Sequence, residues 1–265
     1  MPEVNDTPLP PLPPLDPVRR FNLKSPVSWG IRDPERFAKL MDEAASLVVG
    51  GFYLGDNLFT WTRNLSLLED EAFRNAWQAN LQGPADEAIA WRRYILCTAA
   101  CHAVHLEGDF VECGTLGGTG VKTVIDYFGR EQFAKTFWAY DTFDSNPTGV
   151  PQFEGQQAGL YEQVQARFSG YDRVRLVKGL LPASLEGASP DRIAWLHIDL
   201  NNADFEIAVL EALFDRMVPG ALLILDDYEW AGGYRGQKAA QDPWFTARKY
   251  RVMPLPTGQG LVIKR

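Results

Sequence analysis

The chain has 265 residues, 46% of them hydrophobic and 23% charged, with a formal net charge of -8. That length supports one large α/β core, and the acidic balance argues against nucleic acid, whose binding runs on clustered Lys and Arg. Three cysteines, Cys97, Cys101 and Cys113, suggest no disulfide framework and fit a reducing, cytoplasmic setting.

Residues 1–33 read as a proline-rich extended segment, because Pro8, Pro10, Pro11, Pro13, Pro14 and Pro17 block helix. Without a basic leader or an apolar core it is not a signal peptide. A helical extension follows over 34–107. Its first helix, 34–49, starts at Pro34 and sets Phe37, Leu40, Met41 and Ala44 on one face. A loop carrying Tyr53, Asp56, Asn57, Trp61 and Arg63 comes next, then helices over 69–81 and 86–106. The run Ala88 to Leu106 holds Arg92, Arg93, His102 and His105, so it reads as a buried amphipathic helix and no membrane partner is expected.

From 108 to 265 strands and helices alternate. Strands are predicted at Asp109–Cys113, Thr136–Asp141, Val174–Lys178, Ile193–Asp199 and Ala221–Asp226, with helices over 118–130, 156–168, 204–217 and 235–247. Runs such as Ile193-Ala194-Trp195-Leu196 lack polar alternation, as parallel strands buried on both faces should. Two late strands around Pro256-Thr257-Gly258 give a hairpin signal. The expected fold is α/β: a doubly wound, mostly parallel, seven-stranded sheet, Rossmann-like, on the plan of class I methyltransferases.

The chemistry concentrates at strand ends. Glu112-Cys113-Gly114-Thr115-Leu116-Gly117-Gly118-Thr119-Gly120 joins an apolar strand to a helix, a turn that presents backbone N–H groups and a helix N-terminus to a nucleotide-like ligand. Leu116 stands where a dinucleotide fingerprint has its second glycine, which disfavours NAD. Glu112 would repel a pyrophosphate but suits the ammonium and sulfonium of S-adenosylmethionine (SAM); the alternative is a strand-end cap. Asp141, one βαβ step later, is placed to accept from ribose hydroxyls, and Phe143 and Tyr140 are candidates to pack on adenine or in the core.

Asp226-Asp227 follows an apolar strand, and Asp199 should end its neighbour. Three converging carboxylates repel unless a cation joins them, and oxygen ligands favour Mg²⁺, Mn²⁺ or Ca²⁺. The alternative makes one aspartate a cap and leaves the other in water. His197 lies inside a strand, more in keeping with a core histidine than a base. Cys97, Cys101, His102 and His105 share one helix but lack converging partners for zinc. Trp61, Tyr228, Trp230 and Tyr234 are candidates for an apolar acceptor pocket or for packing.

These residues resemble the macrocin O-methyltransferase family, metal-dependent sugar O-methyltransferases. The resemblance covers roughly 56–245 and rests on Asp109-Phe110-Val111-Glu112-Cys113-Gly114, Tyr140-Asp141-Thr142-Phe143, Val174 through Gly179, His197-Ile198-Asp199, Pro219-Gly220-Ala221 and Leu225-Asp226-Asp227-Tyr228. It implies SAM as donor, held by Glu112, Cys113, Gly114, Thr115, Gly117, Asp141, Thr142, Phe143, Gly179 and Asp199. It also implies a divalent ion on Asp199, Asp226 and Asp227, a sugar hydroxyl as acceptor, and a homodimer whose N-terminal segments help cover the site. Relatives propose as base an acid two positions after the first metal ligand, where this chain has Asn201. Asparagine takes no proton, so Asp204 or His197 would act, or the ion would lower the acceptor's pKa enough for water to suffice. A catalytically silent SAM-binding protein is the alternative reading.

Overall fold

The computed structural model describes residues 7–11, 22–25, 27–145, 156–231, 233 and 235–265; Pro13, Pro14, Pro17 and Tyr234 lie outside them. A small sheet stands where the sequence suggested a loop. Strand β1 (Asn22–Lys24) pairs in parallel with β2 (Phe52–Gly55), which pairs antiparallel with β3 (Leu58–Trp61). Gly55 opposes Leu58 across a two-residue turn, Asp56-Asn57, whose φ angles are 51° and 57°. Positive φ at both positions matches the twist of a tight hairpin, and Asp and Asn tolerate it best after glycine. Helix α1 (Pro34–Ser46) begins as expected, with Asp33 accepting from the Arg36 N–H and Pro34 in the first turn, but it buries no residue.

The helix expected over 86–106 is two: α4 (Pro84–Ala88) and α5 (Ala90–Ala103), preceded by α2 (Ser66–Glu69) and α3 (Glu71–Asn80). The break falls at Ile89, whose φ, ψ of -90°, 23° leave the helical basin. α5 buries Ala90, Arg92, Leu96, Cys97, Ala100 and Ala103, so the apolar run is a core helix. Among the described residues no helix is long and apolar enough to cross a membrane.

The main sheet follows: β4 (Asp109–Cys113), α6 (Thr119–Phe128), β5 (Phe137–Asp141), α7 (Leu160–Arg167), β6 (Val174–Lys178), β7 (Ile193–Ile198), α8 (Ala203–Leu213), β8 (Met217–Leu225), α9 (Arg235–Ala247), β9 (Met253–Pro254) and β10 (Gly260–Ile263). Its order is β6-β5-β4-β7-β8-β10-β9. The first five strands are parallel; β10 runs antiparallel to β8 and β9 antiparallel to β10. This is the expected doubly wound, mostly parallel, seven-stranded α/β sheet. Side chains alternate between two cores: Phe110, Phe137 and Trp195 pack under α5 and α6, while Val111, Leu196 and Leu223 pack under α8 and α9. All six residues of β7 are buried, which explains its unbroken apolar run. The order reverses at β4, with β5 on one side and β7 on the other, so the carboxyl ends of β4, β5, β7 and β8 form the crevice where such sheets bind ligands.

Candidate active site

The turn after β4 is built on close approach. Gly114 has φ 95°, and a Cβ there would lie 1.7 Å from the Asp199 carbonyl oxygen, so no other residue fits. The Asp199 N–H donates to the Cys113 carbonyl at 2.8 Å, tying the β4 and β7 ends together. Cys113 itself turns its thiol into the core beneath α8. Gly118, at φ 75°, opens α6 with no side-chain cap, and the buried Thr115 hydroxyl has no hydrogen-bond partner among the described residues.

Asp141 braces this turn from β5. Its Oδ2 accepts from the Leu116 N–H at 2.7 Å; Oδ1 accepts from the Phe143 N–H at 2.5 Å and from Gln156 Nε2 at 3.3 Å. Gln156 also reaches the Thr142 hydroxyl, 3.1 Å away. Phe143 is buried against Tyr161, and the Gly179 N–H donates to the Asp141 carbonyl at 3.0 Å. Gly117 packs against Gln82. The sequence expectation left Asp141 open to a ribose, whereas its oxygens here serve the backbone.

Glu112 was expected to face the edge. It is buried, with Oε1 3.0 Å from His197 Nδ1, because α6 crosses directly above it: a Cβ on Gly120 would come within 2.8 Å of that oxygen. His197 Nε2 lies 3.3 Å from Asp226 Oδ1. Burial alone would depress the imidazole, but hydrogen bonds and charge from Asp226 and Glu112 outweigh it and lift its pKa to about 10. Both ring nitrogens face buried carboxylates, an arrangement that suits a charge partner in the core, the reading the sequence set ahead of a base. Asp204, the other candidate base, sits exposed on the first turn of α8, where its N–H donates to the Asn202 cap.

Asp226 collects side-chain donors from three directions. Besides His197, its Oδ1 accepts from Gln259 Nε2 at 2.7 Å, and its Oδ2 accepts from Arg92 Nη1 at 2.7 Å. Burial would raise its pKa; the charges of Arg92 and His197 hold it well below the usual carboxylate range. Asp227 shares the same guanidinium nitrogen at 2.9 Å, yet burial and the neighbouring Asp226 charge push its carboxyl up. Arg92 also forks onto Asp56, Nε to Oδ2 at 2.6 Å and Nη2 to Oδ1 at 3.0 Å. Burial lifts Asp56 more than this fork lowers it, while both of its oxygens accept from a guanidinium that stays charged in proteins.

Asp199 is the exception. Among the described residues no Lys, Arg or His forms an ion pair with it, and the hydrogen bond its carboxylate accepts, from Asn201 Nδ2, is long at 3.4 Å. Burial and then the charges of Asp226 and Asp227 push its carboxyl well up. Ligand atoms of His197, Asp199 and Asp226 lie within 4.8 Å of one another, a group that differs from the expected set by His197 in place of Asp227. A cavity of about 460 Å³ opens elsewhere, between α7 and β6, and none of these carboxylates lines it.

Arg92, Asp56 and Gln259 are the site residues that sequence reasoning missed. One signal was available: a lone arginine at a core-facing position of an apolar helix must be paired. The Macrocin-O-methyltransferase (TylF) family profile matches residues 92–244. The chain belongs to that family. A similar curated protein is the 8-demethyl-8-(2,3-dimethoxy-alpha-L-rhamnosyl)-tetracenomycin-C 4'-O-methyltransferase of Streptomyces olivaceus, 28% identical over 170 residues, 56% of this chain. The match spans 65% of that relative's length. Among solved structures, the O-methyltransferase NovP aligns with TM-score 0.56 and 17% identity over 74% of this chain and 89% of its own. The calicheamicin methyltransferase CalS11 aligns with TM-score 0.54 and 16% identity, covering 74% and 92%. A Podospora anserina methyltransferase, PaMTH1, solved with S-adenosylhomocysteine (SAH) bound, aligns with TM-score 0.52 and 11% identity over 90% and 99%. The macrocin O-methyltransferase family and these neighbours agree on the class I methyltransferase fold.

Proposed function

We propose that this protein transfers a methyl group from SAM to a hydroxyl oxygen of a small molecule, a sugar or glycosylated compound, with help from a divalent ion. The observation that carries the reading is Asp199, a carboxylate left without a cation beside Asp226 and Asp227, at the sheet edge of a chain in a methyltransferase family. The sugar is suggested by the rhamnosyl substrate named for the Streptomyces relative, and SAM by the SAH-bound Podospora neighbour.

The residues suit both groups. The uncapped start of α6 and the unpartnered Thr115 hydroxyl can receive a carboxylate and an amine or hydroxyl of the donor. Asp141 keeps the glycine turn in shape around it, and Glu112 with His197 fixes the floor beneath. SAM supplies an electrophilic methyl group on sulfonium. A hard ion would be held by oxygens of Asp199, Asp226 and Asp227, and when bound it supplies positive charge that eases loss of the acceptor's proton. Asn201 can hydrogen-bond the acceptor but cannot take that proton, so the proton leaves to water.

Labelled SAM incubated with a panel of free, nucleotide-linked and glycosidic sugars tests the reading, with Mg²⁺ or with excess chelator. Labelled product should form only with the ion. Asp226→Asn should cut turnover by about 10²-fold or more while calorimetry still detects SAH binding. Full turnover in chelator would remove the ion from the mechanism. Asn201 favours a second reading, a SAM-binding protein without activity, which is the outcome if SAH binds yet no acceptor is methylated.

A further inference from the structure

We propose that Arg92 is a positioning residue through which the β2–β3 hairpin becomes part of the active site. One guanidinium joins three carboxylates from distant parts of the chain: Asp56 in the hairpin turn by a two-bond fork, and Asp226 and Asp227 through the single nitrogen Nη1. Adjacent carboxylates repel, and a positive charge between them lets both turn to one side. Arg92 Nη1 supplies that charge, one N–H to Oδ2 of Asp226 and the other to Oδ1 of Asp227, which leaves Oδ2 of Asp227 outside the brace. Arg92 in turn is aimed by Asp56, since a fork holds a guanidinium plane where one bond would let it swing.

The brace continues outward. Asn57, next in the turn, accepts from the Trp29 N–H at 2.8 Å and donates to its carbonyl at 2.9 Å. Trp29 meets Trp230 edge-on with ring centres 6.0 Å apart, and Trp230 lies over the Arg92 guanidinium at 5.5 Å. Arg92 is the first residue of the family-matched stretch, and Asp56, Asn57 and Trp29 precede it. The family-matched stretch therefore supplies Arg92 and the two acids it joins, and the segment before it supplies Asp56, which aims Arg92.

Two measurements on wild type, Asp56→Asn, Arg92→Gln and Asp227→Asn test this. The first is amide hydrogen exchange over residues 52–61. Asp227→Asn, on the far side of the guanidinium from the hairpin, and Arg92→Gln should each speed hairpin exchange by about tenfold or more. The second is Mn²⁺ binding by electron paramagnetic resonance, an arm that rests on the metal reading above. Asp56 is outside the donor set, so a purely structural hairpin would leave Mn²⁺ affinity alone. Positioning predicts that Asp56→Asn weakens it by about tenfold or more while SAH affinity is unchanged. Unaltered hairpin exchange in Asp227→Asn overturns the proposal, as does unaltered Mn²⁺ affinity in Asp56→Asn. A wild type that takes up no Mn²⁺ fails the metal reading instead, and hairpin exchange then decides the brace alone. Should Arg92→Gln not fold, the two aspartate variants carry both readouts.

Discussion

Gly114 sits where two strand ends nearly touch, and its cost of replacement separates contact from conformation. A Cβ there would meet the Asp199 carbonyl at 1.7 Å, and the strands cannot part without breaking the 2.8 Å bond from the Asp199 N–H to Cys113. Gly187 has a comparable φ, +73°, but open space around its Cβ position. Gly187→Ala should therefore lose only about 1–2 kcal/mol of backbone preference, while Gly114→Ala should lose about 3 kcal/mol or more, or fail to fold. Urea titrations of the two variants measure this directly. Equal losses would mean that left-handed geometry alone, and not the approach to Asp199, keeps glycine in this turn.

Between elements, the α8–α9 contact carries a titratable group with a definite sign. Glu206 is buried; its Oε2 accepts from Gln241 Nε2 at 2.6 Å, while among the described residues Gln241 Oε1 has no partner. Burial first, then the charges of Asp199 and Asp227, raise its pKa from 4.5 to about 8. A carboxyl raised in the folded state favours the fold when protonated. Its contribution is complete below pH 4.5 and fades as pH climbs through about 8. Glu206→Gln removes the charge and, after an amide flip of Gln241, can donate to the vacant Oε1. In chelator, so that no cation masks Asp199 and Asp227, the variant should match wild type near pH 4.5 and melt several degrees higher near pH 8, about 2–4 °C for each kcal/mol regained. Melting curves across that range decide it; a variant that loses ground as pH rises would reverse the assignment.

Across the whole molecule, the sheet was legible because β4, β5, β7 and β8 are apolar runs with an acid at or beside their carboxyl ends, and such runs report burial on both faces; β6, Val174–Lys178, is at the edge and carries Arg175 and Lys178 instead. The hairpin was not, because strands of four residues leave little pattern; only Asp56-Asn57 between alternating residues hinted at it. Nor was the Arg92 junction, whose partners stand 36, 134 and 135 positions away: spacing brings carboxylates to one edge but does not say which way a distant side chain turns. The acids at that edge make a prediction for global stability. A divalent ion at a hundred times its Kd adds about 2.7 kcal/mol, which for a chain of this size is roughly 5–10 °C in melting temperature. Asp199→Asn should act in opposite directions on the two states. It relieves a carboxylate crowded by Asp226 and Asp227 with no cation paired to it among the described residues, raising the melting temperature in chelator, and it removes an ion ligand, abolishing the Mg²⁺ increment. Thermal scans of both proteins with chelator and with Mg²⁺ give the four values needed. An Asp199→Asn protein that melts lower than wild type in chelator, or still gains from Mg²⁺, would show that Asp199 is neither strained by its neighbours nor a ligand.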